Sequence, residues 1–291
     1  MVNNKKKLVE NLTVGTDPEM FLYSNKLKKY FPACGLIGGN KENPLPISSE
    51  GHAIQEDNVM AEFCIPPCKN AEDFKRHIAF VKDYINDTIL KGLKVKVTNE
   101  IGELEEQDIE LVCKCDASAE FDPQDLQSEQ AQMFGCDPDY NAYTGEPNVV
   151  ERQNPFLRSC GGHIHIGYDN PDFETNIKII KALDLFLGLG SVMLDPDNKR
   201  RELYGKAGAY RLKKYGAEYR VTSNFFLNNE DLMDFVFWAV ERAIEFVNDG
   251  GIITNEADII EAINTSNKDL ALEILEDYNV DLEIIENLKA I

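Results

Sequence analysis

Apolar residues recur at helical spacing in several stretches of this chain, and elsewhere they alternate or cluster as strands do. Phe74, Ile78, Val81, Ile85 and Ile89 form one stripe behind Asn70, a residue suited to cap a helix, and predict a helix over residues 70–91. Ile177, Ile180, Leu183 and Leu187 predict a second helix over 172–189, and 231–247 reads as a third. From residue 255 onward the chain is acidic, amphipathic and helical, in segments 257–263, 268–275 and 280–289. Residues 13–23, 53–65 and 159–168 read as strands, the second closed by Pro66-Pro67 and the third entered through Gly161-Gly162. Segments 93–97 and 110–114 are short β candidates, and 210–212 and 218–222 form a strand pair around Gly216. Residues 40–50, with Pro44, Pro46, Ser48 and Ser49, and the Asp-, Asn-, Pro- and Gly-rich 137–148 read as loops. Strands and helices follow one another without regular βαβ alternation, which predicts an α+β fold on an antiparallel sheet. The expected organisation is a catalytic domain over 1–248 and a C-terminal helical extension over 249–291 packed on it.

Composition narrows the classes. Apolar residues make up 43% of 291, enough for a core. The formal net charge of −21 counts against nucleic-acid binding, because phosphates would be repelled; its ordinary meaning is solubility. No window approaches the roughly 18 apolar residues of a membrane span. The basic N-terminus lacks the apolar stretch of a signal peptide, so the expected location is the cytoplasm. Seven cysteines (34, 64, 68, 113, 115, 136 and 160) read as reduced thiols rather than a disulfide framework or a zinc ribbon.

The chemistry is concentrated in strands. Residues at i and i+2 share a face, and Asp17 and Glu19, His163 and His165, and Glu218 and Arg220 all stand at that spacing, while Asp57 and Glu62 lie in another strand segment. Neighbours such as Met20, Phe21, Val59, Phe63, Ile164 and Val221 are apolar. Each pair alone is an ordinary ion pair or solvated face; their joint occurrence is not. Brought together, Glu19, Glu62, Glu218 and two histidines would repel unless a cation neutralised them, and hard oxygen donors suit magnesium or manganese held with substrate phosphates. Arg158, Arg200, Arg201, Arg211 and Arg220 cluster around these segments in a strongly acidic protein, which suits phosphate. No Walker or Rossmann glycine motif is present. His52 falls in a loop and His77 on a helix, and neither joins the pattern.

GTDPE, DNVMAE, CDASAEF, GCDPDYNAYTG, GGHIHIG, YGKAGAYR and GAEYR, in that order over residues 13–224, resemble the phage-type carboxylate–amine ligases of the glutamine synthetase and glutamate–cysteine ligase superfamily. The resemblance implies a curved antiparallel sheet forming a funnel, with ATP and magnesium as cofactors and an acyl-phosphate intermediate displaced by an amine. It implies Glu19, Glu62, His163, Glu218 and Asp17 at the metals, and His163, His165, Arg201, Arg211 and Arg220 around the nucleotide. Arg220 and Arg211 would neutralise charge during transfer, with Asp57 accepting the amine's proton. The implied substrates are small-molecule or peptide carboxylates and amines, and the location the host cytoplasm if the chain is phage-encoded. The chain departs from the family's opening E-x-E in having Asp17 and an intervening Pro18, which should bulge that strand or place it at an edge. Three other readings fit parts of the sequence: a phosphotransferase such as a guanidino kinase on the same fold, an iron or manganese oxygenase using His163, His165 and Asp169, and a non-catalytic binding protein.

Overall fold

The computed structural model describes residues 7–98, 104–132, 139–149 and 154–289. Cys136 and the first two residues of the 137–148 loop lie outside them.

The expected strand over 13–23 is two strands, Thr13–Thr16 and Glu19–Ser24, interrupted at Asp17-Pro18. Proline has no N–H to give a ladder, and here the chain changes partners. Thr13–Thr16 pairs antiparallel with Ile164–Gly167, which pairs with Gly216–Tyr219, then Ala209–Lys213, then the short Tyr140–Asn141. Glu19–Ser24 pairs instead with Met60–Cys64, Lys29–Phe31 and Val112–Lys114. The two sheets are stitched along this shared spine. Phe63 N–H donates to Pro18 O at 3.3 Å and Ile65 N–H to Thr16 O at 3.3 Å, and Val14 and Cys68 exchange bonds of 2.8 Å. The result is a curled antiparallel arrangement with helices packed against it.

The expected strand over 53–65 is a hairpin of Ala53–Asp57 and Met60–Cys64. Asn58 turns it, with φ of 56°, a left-handed conformation that asparagine tolerates. Residues 137–148 contain a strand, Tyr140–Asn141, as well as a loop. The 94–98 segment is a strand and pairs with Leu104–Asp108, a partner the sequence did not announce. Gly161 and Gly162 separate Leu157–Ser159, which pairs with Ser118–Glu120, from the histidine-bearing Ile164–Gly167. The late strand pair turns at Lys214-Tyr215, and its second strand starts at Gly216, earlier than expected.

The helices follow their apolar stripes. Ala71–Tyr84 is capped by Asn70, whose side chain accepts from Asp73 N–H at 2.8 Å, and it continues into a π turn. Phe173–Leu183 likewise runs through a π segment, Asp184–Gly188, into Leu189–Leu194. Glu230–Asp249 ends at Gly250 in the left-handed region. Glu256–Thr265, Lys268–Asp277 and Leu282–Lys289 pack on the Leu189–Leu194 helix, and Ile259, Ile263, Ile274 and Leu275 join the main apolar core. Among the described residues, no helix is long and apolar enough to cross a membrane.

Candidate active site

Register assembles the site. His165 lies opposite Gly15 on one side and Glu218 on the other, and Glu218 lies opposite Arg211. One same-face step further, at the strand ends, come Asp17, His163 and Arg220. The other face carries Ile164, Ile166, Ala217 and Tyr219, all fully buried. One side of a four-stranded surface is therefore polar because the other is committed to the core.

The break at Pro18 divides the Asp-Pro-Glu acids between two groups. Asp17 turns toward the histidines: its carboxylate is 3.2 Å from His163 Nδ1 and 3.1 Å from His165 Nε2. His163 Nδ1 is also 3.6 Å from Glu218 Oε1, so Asp17, His163 and Glu218 can offer ligand atoms to one point. Glu19 pairs instead with Glu62 across the second sheet, and with Asp57 they form a second group whose ligand atoms all lie within 4.8 Å of one another. Asp57 reaches Glu62's side through the Asn58 turn, an arrangement that a single straight strand would not give.

The two groups differ electrostatically. Burial, then the Asp57 charge, pushes Glu19 up to about 8. Burial, then Asp17, Glu19 and Asp57, pushes Glu62 well above the usual carboxylate range, although Gln55 donates to it at 2.7 Å. These are crowded carboxylates short of positive charge. Glu218 is the opposite case. Burial and Asp17 oppose its ionisation, yet Arg220, His163 and His165 hold it down at about 2. It bonds Arg220 Nη1, and Lys213 Nζ stands 2.6 Å from its other oxygen. Asp17 is kept well below the usual range by His165 and His163 despite burial. Burial and Arg220 lower His163, whereas Asp17 raises His165 against the effect of burial.

The backbone around Gly161 locks this arrangement. Gly161 N–H donates to Glu19 Oε2 at 2.6 Å and its carbonyl accepts from Glu19 N–H at 2.9 Å. Thr16 and Thr222 hydroxyls donate to the His163 and Gly162 carbonyls at 2.7 Å, and Asn224 Nδ2 donates to the Glu19 carbonyl at 2.7 Å. A Cβ on Gly161 would stand 2.5 Å from His163 Nε2, and one on Gly162 only 2.3 Å from the Ser223 carbonyl. Gly161→Ala is therefore expected to displace the imidazole and cost activity about a hundredfold with little change in melting temperature, since small misplacements near reacting groups carry penalties of that order. Gly162→Ala should instead lower the melting temperature. Parallel melts and activity assays of the two variants check this, and equal effects of both would contradict it.

The arginines sort differently from expectation. Arg220 joins the site, with Nε 3.6 Å from Asp139 Oδ2. Arg201 does not come to the carboxylates by its hydrogen bonds: they go to Ser191 Oγ at 2.9 Å and Ser266 Oγ at 3.4 Å. Its neighbour Arg200 takes that place. A Cβ on Gly161 would lie 3.2 Å from Arg200 Nη2, and Glu19 is the acid that acts most strongly on the guanidinium, which burial lowers to about 10. One turn of the Arg200–Leu203 helix sends successive side chains to different sides, which sequence alone does not reveal. Arg158 is buried against the Ala131, Pro155 and Leu157 carbonyls, a structural role. Lys213, Asp139 and Gln55 were missed, although Asp139 lies in one of the recognised motifs. Asp169 accepts from Asn11 at the surface and stands apart from the histidines, which removes the carboxylate of the oxygenase reading. Six described cysteines are free thiols, and among the described residues none joins a candidate metal group.

Fold and donor set together define a chain whose antiparallel sheet presents clustered carboxylates, histidine and arginine to one shared space. Residues 153–287, a little under half of the chain, match the family described as phage phiEco32-like COOH.NH2 ligase-type 2. The match takes in GGHIHIG, YGKAGAYR and GAEYR, and it also runs through most of the C-terminal helices, which the resemblance had not covered. No curated protein matches the chain. Among solved structures it is similar to a bifunctional glutathione synthetase from Pasteurella multocida, at 11% identity and a TM-score of 0.43. That similarity covers 96% of this chain and 46% of the synthetase, so the chain spans less than half of that protein's length.

Proposed function

We propose that this chain is an ATP- and magnesium-dependent carboxylate–amine ligase working through an acyl phosphate, and that its curled sheet is a glutamine-synthetase-like funnel. The observation that carries the reading is the convergence of Glu19, Asp57 and Glu62 beside Asp17, His163 and Glu218, with Arg220 next to them. The donor set fits a divalent cation. Glu19 and Glu62 are buried carboxylates whose ionisation their surroundings oppose, and a hard cation is what would relieve them.

Glu19, Glu62 and Asp57 would hold one magnesium ion, and Glu218, Asp17 and His163 a second. Magnesium bound there supplies charge neutralisation and orientation for the nucleotide phosphates. The residues of the chain do the rest. Arg220, with Arg200 and Arg211 nearby, neutralises charge on the transferring phosphoryl group. A substrate carboxylate oxygen attacks the γ-phosphorus and the bond to the β-phosphate oxygen breaks, releasing ADP. The amine nitrogen then attacks the acyl carbon, phosphate leaves, and the nitrogen loses a proton to the departing phosphate. Asp57, expected as the acceptor of that proton, stands among the ligands, and we assign it there. His165, bonded to Tyr215 at 2.9 Å and with Nε2 3.1 Å from Asp17 Oδ2, orients the Asp17 carboxylate by charge.

Hydroxylamine trapping tests the acyl phosphate. With ATP, magnesium and a panel of amino-acid and peptide carboxylates, the chain should form a hydroxamate and release ADP in equal amounts. ADP release with a phosphorylated guanidino product and no hydroxamate would transfer the site to the kinase reading.

A further inference from the structure

Away from this site, two buried imidazoles face each other nitrogen to nitrogen. His52 Nε2 is 2.7 Å from His77 Nδ1, although the residues are 25 apart in sequence and lie in a turn and on the Ala71–Tyr84 helix. His52 is 2% exposed and His77 7%. Gly51, with φ of 105°, bends the turn so that Glu50 reaches the same point, its Oε2 3.9 Å from His77 Nδ1. One nitrogen of each ring and one Glu50 oxygen lie within 4.8 Å of one another.

The outer atoms of the rings are also engaged. Ser48 Oγ stands 2.6 Å from His52 Nδ1 and Arg76 Nη2 3.1 Å from His77 Nε2. Arg76 can only donate, so His77 Nε2 accepts and its Nδ1 carries the proton, given to His52 Nε2. His52 Nδ1–H then donates to Ser48. Both rings are neutral in this chain of bonds, and burial, helped by His77 at His52 and by Arg76 at His77, favours that neutral state.

We propose that Glu50, His52 and His77 form a second metal site, specific for a zinc-class transition ion and separate from the carboxylate site. Two histidines and a glutamate are a recognised zinc donor set that leaves a fourth position to water. Imidazole nitrogen also selects against magnesium. At zinc–nitrogen distances of about 2.0 Å, tetrahedral geometry sets ligand nitrogens about 3.3 Å apart, so the rings need open only slightly from their present contact. Ser48 already fixes His52 with Nε2 available, as an outer hydrogen bond does for a ligating histidine. Loading moves the His77 proton from Nδ1 to Nε2 and turns Arg76 outward. Arg76 is more than half exposed and has Asp73, 3.0 Å away, as an alternative partner. No net proton is released. The ion would tie the turn ahead of the Ala53–Asp57 strand to the helix.

Zinc titration calorimetry in excess magnesium tests this without reference to catalysis. The wild-type chain should bind one more zinc equivalent than His77→Gln, and zinc should raise its melting temperature. Glu50 is exposed, so Glu50→Gln should melt like wild type without zinc and bind it about tenfold more weakly or worse. If His77→Gln does not fold, Glu50→Gln decides alone. Zinc confined to the Asp17, His163 and Glu218 group would leave both variants indistinguishable from wild type, and that result overturns the proposal.

Discussion

Glu218→Gln and Arg220→Ala are each expected to lower ATP-dependent ligation about a thousandfold, because one charge-stabilising group in a preorganised site contributes on that scale. Both side chains are buried and bonded to each other, and both face His163. Glu218 also holds Lys213, so its replacement loosens two cations at once. The fold should persist, since the opposite face of the strand is packed by Ala217 and Tyr219 and does not involve these groups. Circular dichroism with a hydroxamate assay reads both quantities. A folded variant within tenfold of wild type would remove Glu218 and Arg220 from the mechanism.

The second large effect is on stability. Without metal, Glu19 keeps its proton up to about 8 in the folded chain, against about 4.5 when unfolded. Between those values the unfolded chain binds fewer protons, so stability falls as pH rises and levels off above 8. For one carboxyl shifted this far the cost is on the order of 5 kcal/mol. Glu62, raised in the same direction, adds to it. Melting temperature without metal should therefore drop markedly between pH 5 and pH 9, and magnesium should restore most of it by stabilising the ionised carboxylates. Asp184, buried, raised to about 7 and bonded to Tyr219 and Tyr143 on the core side, would leave a residual slope in either condition. A slope of the same size with and without magnesium would mean that Glu19 and Glu62 do not bind the ion.

Helices were legible in the sequence because their apolar stripes repeat within one element, as Phe74 to Ile89 shows. The polar strand face was legible for the same reason: His163 with His165, and Glu218 with Arg220, need only the period of two. What required the fold was any choice between partners distant in sequence. Pro18 announces a break, but not that Asp17 then joins the histidines while Glu19 joins Glu62. Asn58 gives little sign that residues 53–65 double back, and that turn is what gathers Asp57 with Glu62. Arg200 and Arg201 look alike as neighbours, yet Ser191 and Ser266 take one of them. His52 and His77 carry no joint signal in the sequence, because a turn residue and a helix residue show no shared pattern until the chain brings them together.

The most direct measurement of the central claim is a thermal-shift titration with ATP, with and without magnesium. A ligand that binds only the folded chain raises its melting temperature by mass action. The account predicts a shift with ATP and magnesium together that exceeds the sum of the two separate shifts, and its loss in Glu62→Gln. No ATP-dependent shift in the presence of magnesium would contradict it.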